Sequence, residues 1–358
     1  MTAHVLTRVA NRTGIITLDR PKALNSLSLD MVRALTATLL AWRDDASIDA
    51  VVIGSSSEKA LCAGGDIRFF HEAGKATPQT GSPLLEDFFT EEYALNHLIH
   101  FYPKPYIALM DGVVMGGGMG IAQGGPDCGL RIVTERSKIA MPEVNIGLFP
   151  DVGGSHFLSH APGRLGHYLG VTGVTIGAAD AIYVGLADVF VPGAQLDALR
   201  ALIETTPGAQ LPAAIRAFAA PFPAGASELE AQRDAIDRHF GADSVAAVMA
   251  SLETDASPFA QKTLATLRQR SPLMMSVTRE MLVRGEALGV ADCLRMERSL
   301  VRRTFEHGEV LEGVRALVID KDNAPRWNPP TLDAVTPEMV AWFFAPVWPR
   351  HAHPLRDL

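Results

Sequence analysis

What most constrains this chain is an alternation running through roughly its first 190 residues: short β-branched, apolar runs separated by stretches of helical periodicity. Ile15-Ile16-Thr17-Leu18 is such a run, stopped by Asp19-Arg20-Pro21. Ser28 is placed to cap the next helix, in which Val32, Leu35, Leu39 and Trp42 fall on one face. Asp44-Asp45 closes that helix, and Val51-Val52-Ile53 is the next run. After an insertion rich in Gly and Pro at 74–83, the stretch 88–100 has helical spacing. Tyr106-Ile107-Ala108-Leu109-Met110 is a third run, and the Gly-rich stretch from Gly112 is expected to open another helix. Strands that return between helices need crossover connections, which predict an α/β fold with a largely parallel, buried sheet.

From about Pro192 the texture changes. Segments 195–206, 227–241, 243–253, 257–270, 272–285 and 291–306 are rich in Ala, Leu, Arg and Glu, with helical periodicity and little strand signal. Pro207, Pro212, Pro221 and Pro223 punctuate the transition. The 358 residues therefore suggest an α/β core over 1–200 and a helical C-terminal region over 201–358. No internal repeat or low-complexity segment is apparent. With 47% apolar and 20% charged residues, disorder and coiled coil are excluded as the general state.

The 32 Lys and Arg against 40 Asp and Glu give a net charge of −8, and no basic block stands out, which argues against nucleic acid as a partner. No apolar run approaches the ~18 residues of a membrane span, and MTAHVLTRVANR lacks the apolar stretch of a signal peptide. The three cysteines, Cys62, Cys128 and Cys293, have no paired spacing, so neither a disulfide framework nor a zinc site is expected. A reducing compartment follows, most simply the cytoplasm. The eleven histidines include no HExxH, and no metal is expected.

Three stretches are able to carry chemistry. The densest is Gly112-Val113-Val114-Met115-Gly116-Gly117-Gly118-Met119-Gly120. Glycines at a strand-to-helix junction let backbone N–H groups face a bound oxygen, although they suit tight packing equally well. The run fits neither GxGxxG in a first βα turn nor the GK[ST] of a P-loop. The second is Cys62-Ala63-Gly64-Gly65-Asp66-Ile67, with Asp66 near a helix start, where an ordinary helix entry is the alternative. Two such donor sites in one chain suit an oxyanion formed from an ester or thioester carbonyl. The third places Glu143 and Asp151 among apolar residues, Pro and Gly, from Ala140 to Gly154. Carboxylates in an apolar loop have raised proton affinity and suit acid–base or nucleophilic work; solvated loop or capping carboxylates are the alternative. Gly153-Gly154-Ser155 is not a GxSxG nucleophile elbow.

In this order, the three stretches resemble the crotonase (enoyl-CoA hydratase/isomerase) superfamily. Arg20-Pro21-Lys22-Ala23-Leu24-Asn25-Ser26-Leu27 is similar to its N-terminal signature, and the match continues through Ala63-Gly64-Gly65-Asp66-Ile67, Gly116–Gly118 and Met141-Pro142-Glu143. The resemblance implies a crotonase-like spiral of ββα units and a coenzyme A thioester ligand. It implies that the thioester oxygen sits between the N–H groups of Gly65 and Gly117, with Lys22, Ala23, Leu24, Ala63, Gly64, Gly65, Asp66 and Ile67 lining the CoA. Trimers occur in the superfamily, which leaves the oligomeric state of this chain open to a homo-oligomer, a trimer or smaller.

A hydratase resembling the best-known members uses two glutamates, and at the first of those positions this chain has Gly120, which has no side chain to activate water. Met141-Pro142-Glu143 followed by Ile146-Gly147-Leu148-Phe149-Pro150-Asp151-Val152-Gly153-Gly154 resembles instead the 3-hydroxyisobutyryl-CoA hydrolase branch, as do Phe88–Tyr93 and the stretch from Glu312 to Trp327. By that similarity Glu92 joins Glu143 and Asp151 as substrate-binding carboxylates. The implied activity is hydrolysis of a short 3-hydroxyacyl-CoA in valine catabolism, with catalytic Glu143, Asp151, Gly65 and Gly117. No cofactor is expected beyond the CoA carried by the substrate. The alternatives are a hydratase or isomerase working through one carboxylate, and a non-catalytic acyl-CoA-binding protein. The 74–83 insertion and the tail after 331 match less well.

Overall fold

The computed structural model describes residues 4–77, 81–222 and 225–358, so part of the 74–83 insertion and Pro223 lie outside the described residues. The chain divides into two compact units, each built from three segments: residues up to Gly65 with Ala94–Ala140 and Thr175–Glu228, and Asp66–Tyr93 with Met141–Val174 and Leu229–Leu358. The change of texture near 200 is thus not a boundary between these units.

The first unit holds every strand among the described residues: β1 (Val5–Ala10), β2 (Thr13–Leu18), β3 (Ala50–Ser55), β4 (Ala60–Cys62), β5 (Tyr106–Met110), β6 (Val113–Met115), β7 (Gly129–Val133), β8 (Lys138–Ala140) and β9 (Val189–Phe190). They form a six-stranded sheet, β1-β2-β3-β5-β7-β9, and a three-stranded sheet, β4-β6-β8. From β3 onward the chain alternates between the sheets, laying one strand in each before moving on, which is the expected spiral. All pairings are parallel except β1 with β2. That hairpin turns on Asn11 and Arg12, both with positive φ, the geometry that matches strand twist in a two-residue turn.

Val51, Val52 and Ile53 are buried because a parallel strand is covered on both faces. Ile15, Val52, Ile107 and Ile132 pack against Leu196, Leu199 and Ile203 of the helix Leu196–Thr205 and against Leu211 and Ile215 of the helix Leu211–Phe218. Those helical residues recur at spacings of three and four, one apolar stripe per helix. Gly112 does not open a helix: β6 intervenes, and the helix begins at Gly117.

The second unit is helical. Three of its C-terminal helices start where serines cap them. Ser244, Ser257 and Ser271 accept from the N–H groups of Ala247, Ala260 and Met274, and Pro258 and Pro272 occupy the first helical turn, where a missing N–H costs nothing. No helix among the described residues is long and apolar enough to cross a membrane.

Candidate active site

In the first unit, the two glycine clusters lie side by side because β4 pairs with β6. Gly64 has φ 104, a conformation that side chains rarely adopt, and a Cβ there would lie 3.2 Å from Met115 O and 3.6 Å from Gly117 N. Neither the Gly65 nor the Gly117 N–H donates to a backbone acceptor among the described residues. The expected donors are therefore neighbours, with their hydrogen atoms unspent.

The 20–27 loop is fastened to the same place. Leu27 N–H donates to Gly64 O at 2.8 Å, and Ala63 N–H donates to Leu24 O at 3.0 Å. Lys22 and Leu24 are exposed, Ala23, Ala63 and Gly65 half-buried, and Gly64 buried. Buried Asn25 organises the loop. Its Oδ1 accepts from Arg20 N–H, and its Nδ2 donates to Ser55 Oγ at 2.7 Å, Leu61 O at 3.0 Å and Ala60 O at 3.2 Å. Asn25→Ala strands these groups, and we expect a stability loss of about 2 kcal/mol in denaturant unfolding.

In the second unit, Asp66 caps the helix Ile67–Ala76, its side chain accepting from Phe69 N–H, and Ile67 is that helix's first residue. The carboxylates form a buried group there. Glu92 is 2% exposed, Glu143 6% and Asp151 5%. The helix Pro83–His100 carries Glu92 and Tyr93, and the Tyr93 hydroxyl donates to Asp151 Oδ2 at 2.7 Å. Glu143 opens the 3-10 turn Glu143–Ile146, whose closing residue Gly147 is left-handed. Glu92 Oε1 and Glu143 Oε2 are buried with no hydrogen-bond partner among the described residues. Buried acceptors of this kind are costly unless a ligand or water completes them. Neither the solvated nor the capping alternative describes Glu143 or Asp151.

Burial, with Asp151 nearby, pushes Glu92 and Glu143 well above the usual carboxylate range. Burial lifts Asp151 to about 6, against the pull of the Tyr93 hydroxyl. A fourth carboxylate, Glu297, lies in the helix Val290–His307 and is pushed up to about 8 by burial, although Ser155 and Gly153 donate to it. The cluster therefore takes up protons well above the pH where exposed carboxylates do. If Glu143 works ionised, kcat/KM rises with pH only above the usual carboxylate range, and the apparent value belongs to the cluster rather than to one residue.

Stability runs the other way. These folded-state values exceed the unfolded ones near 4, so the cluster's contribution is complete below about pH 4 and is lost as pH rises through 6 and 8. A pH series of rates and melting temperatures checks both signs.

The motifs give Tyr93 and Ser155 no role, and Glu297 lies outside them. Glu297 left one trace: it falls on the same helical face as Cys293, Leu294, Leu300 and Val301, where a carboxylate is out of place.

The family model for enoyl-CoA hydratase/isomerase matches residues 13–344, and the chain belongs to that family. The mitochondrial 3-hydroxyisobutyryl-CoA hydrolase of Danio rerio is 40% identical over 344 residues, covering 94% of this chain and 88% of its own. The Homo sapiens protein of the same name is 36% identical over 341 residues, covering 94% and 86%. Among solved structures, a carnitinyl-CoA dehydratase from Mycobacterium thermoresistibile matches with a TM-score of 0.90 at 39% identity, covering 97% of this chain and 98% of that one. An enoyl-CoA hydratase from Rhodobacter sphaeroides 2.4.1 matches at 0.87 and 41%, covering 96% and 98%.

These relatives correct one expectation. The hydrolases are mitochondrial, which overturns the cytoplasmic assignment. Its physical basis was cysteine usage, which reports a reducing environment and does not separate one reducing compartment from another.

Proposed function

We propose that this protein hydrolyses a short 3-hydroxyacyl-CoA thioester, 3-hydroxyisobutyryl-CoA in particular, to the free acid and CoA, a step of valine degradation. The observation that carries this reading is the buried Glu92, Glu143 and Asp151 group, with Asp151 fixed by Tyr93 and an oxygen of Glu143 left without a partner. The similarity to the named hydrolases supports the substrate.

In this reading the N–H groups of Gly65 and Gly117 hold the thioester oxygen as it becomes an oxyanion; one such donor is worth about 3 kcal/mol of barrier. Glu143 attacks the carbonyl carbon, the C–S bond breaks, and the CoA thiolate leaves and takes a proton. Water then opens the mixed anhydride, releasing the acid and restoring Glu143. In the general-base form of the same reaction, Glu143 takes a proton from water, which attacks directly. Oxygen-18 from solvent entering Glu143 in a single turnover marks the first route. Asp151 accepts from the substrate's 3-hydroxyl, and Glu92 completes the polar pocket. Lys22, Ala23, Leu24 and the Ala63-to-Ile67 stretch line the CoA, whose phosphates need only local donors despite the net charge of −8.

A second reading, hydration of an enoyl-CoA, is favoured by the names of the two structural relatives. Gly120 opposes it, because it supplies no second carboxylate. A thiol-release assay over hydroxylated, unsubstituted and unsaturated short-chain CoA esters separates them. Release of CoA, greatest from the 3-hydroxy ester, is expected. Loss of the enoyl chromophore with no thiol appearing overturns the hydrolase.

A further inference from the structure

The turn that begins at Asp151 is held by a group with no role in the reaction just described. Glu297 is 0% exposed, and among the described residues no cation pairs with it. Its Oε2 accepts from Gly153 N–H at 2.8 Å; its Oε1 accepts from Ser155 N–H at 2.9 Å and from Ser155 Oγ at 2.5 Å. A buried carboxylate without a cation is expensive, and three donors converging on it are what makes it tolerable.

Those donors belong to a strained piece of backbone. Val152 has φ 53 and Gly153 has φ 90, and Gly154 N–H closes the turn on Asp151 O at 2.7 Å. A β-branched residue in the left-handed region is a genuine outlier and persists only where its surroundings over-determine it. A turn of this kind can direct amide N–H groups toward one side as an anion-binding concavity. Here the acceptor is an internal side chain. The other end of the turn is fixed by the Tyr93 hydroxyl on Asp151 Oδ2.

We propose that Glu297 is a positioning residue: by gathering the N–H groups of Gly153 and Ser155 it enforces the left-handed Val152 and so aims Asp151 at the substrate's 3-hydroxyl. This rests on the proposed role of Asp151. Glu297 touches no substrate; it acts through the turn. Gln in its place keeps the shape but sets an NH2 group against an N–H donor, which releases one end of the turn.

The test compares hydrolysis of 3-hydroxyisobutyryl-CoA with that of isobutyryl-CoA, as the ratio of their kcat/KM values. It uses the wild-type protein, Asp151→Asn, Glu297→Gln and the double variant. A site built to bond a hydroxyl discriminates strongly against the ester lacking it, so Asp151→Asn is expected to lower the ratio at least about tenfold. Glu297→Gln is expected to reproduce most of that fall, and the double variant to be no worse than Asp151→Asn alone. A merely structural role slows both esters in proportion, and an unchanged ratio in Glu297→Gln beside a collapsed one in Asp151→Asn overturns the proposal. An unchanged ratio in Asp151→Asn overturns the role of Asp151 itself, and the proposal with it. Should Glu297→Gln not fold, Ser155→Ala, which removes only the hydroxyl donor, is expected to lower the ratio about threefold. An unchanged ratio there likewise overturns the proposal.

Discussion

Glu143→Gln will lower CoA release by about three orders of magnitude while the protein stays folded. A positioned acid–base or nucleophilic carboxylate contributes a factor of this order, and Gln retains the volume but neither the charge nor the basicity. Stability should hold or rise. Glu143 is buried with Asp151, Glu92 and Glu297 as its charged neighbours, and an uncharged amide relieves that repulsion. The gain is expected to be larger at high pH than at low, because burial keeps the replaced group protonated until well above the usual carboxylate range. Thiol release and melting temperature at the two pH values check the result, and undiminished turnover removes Glu143 from the chemistry.

Gly118→Ala will damage stability and rate together. A Cβ at 118 would sit 2.2 Å from Cys62 O and 2.9 Å from Cys62 C, a backbone obstacle that no side-chain rotation relieves. To accommodate it, the helix Gly117–Ala122 must move away from β4, whose pairing with β6 brings Gly64 beside Gly117. Overpacking of this kind costs about 3 kcal/mol. We expect a lower denaturant midpoint and, in the folded fraction, a rate reduced about a hundredfold through displaced oxyanion donors. A folded variant of normal rate would remove the Gly117 N–H from the reaction.

Those two positions also show what the sequence carries. Val51-Val52-Ile53 is legible as a strand because continuous β-branched residues suit only a surface covered on both faces. The three-residue strands β4, β6 and β8 are too short to show a period, and β6 is hidden inside the glycine-rich stretch from Gly112. That two glycine clusters meet is a long-range consequence of the β4–β6 pairing, which local pattern does not contain. Glu143 and Asp151 stand out by their apolar neighbours. Glu92 does not, since a glutamate in the helix Pro83–His100 looks like any solvated charge, and only the family resemblance singles it out. Glu297 is harder still, because the turn it restrains lies far from it in sequence.

The crowd of buried carboxylates bears on what happens after the chemistry. On the proposed reaction the acyl group enters as a neutral thioester and ends as an anion beside Asp151 and Glu143, whose mutual proximity already raises the cost of charge there. A pocket that tolerates the uncharged ester repels its charged product by the same electrostatics. On the proposed reaction, that repulsion favours departure of the acid from the pocket.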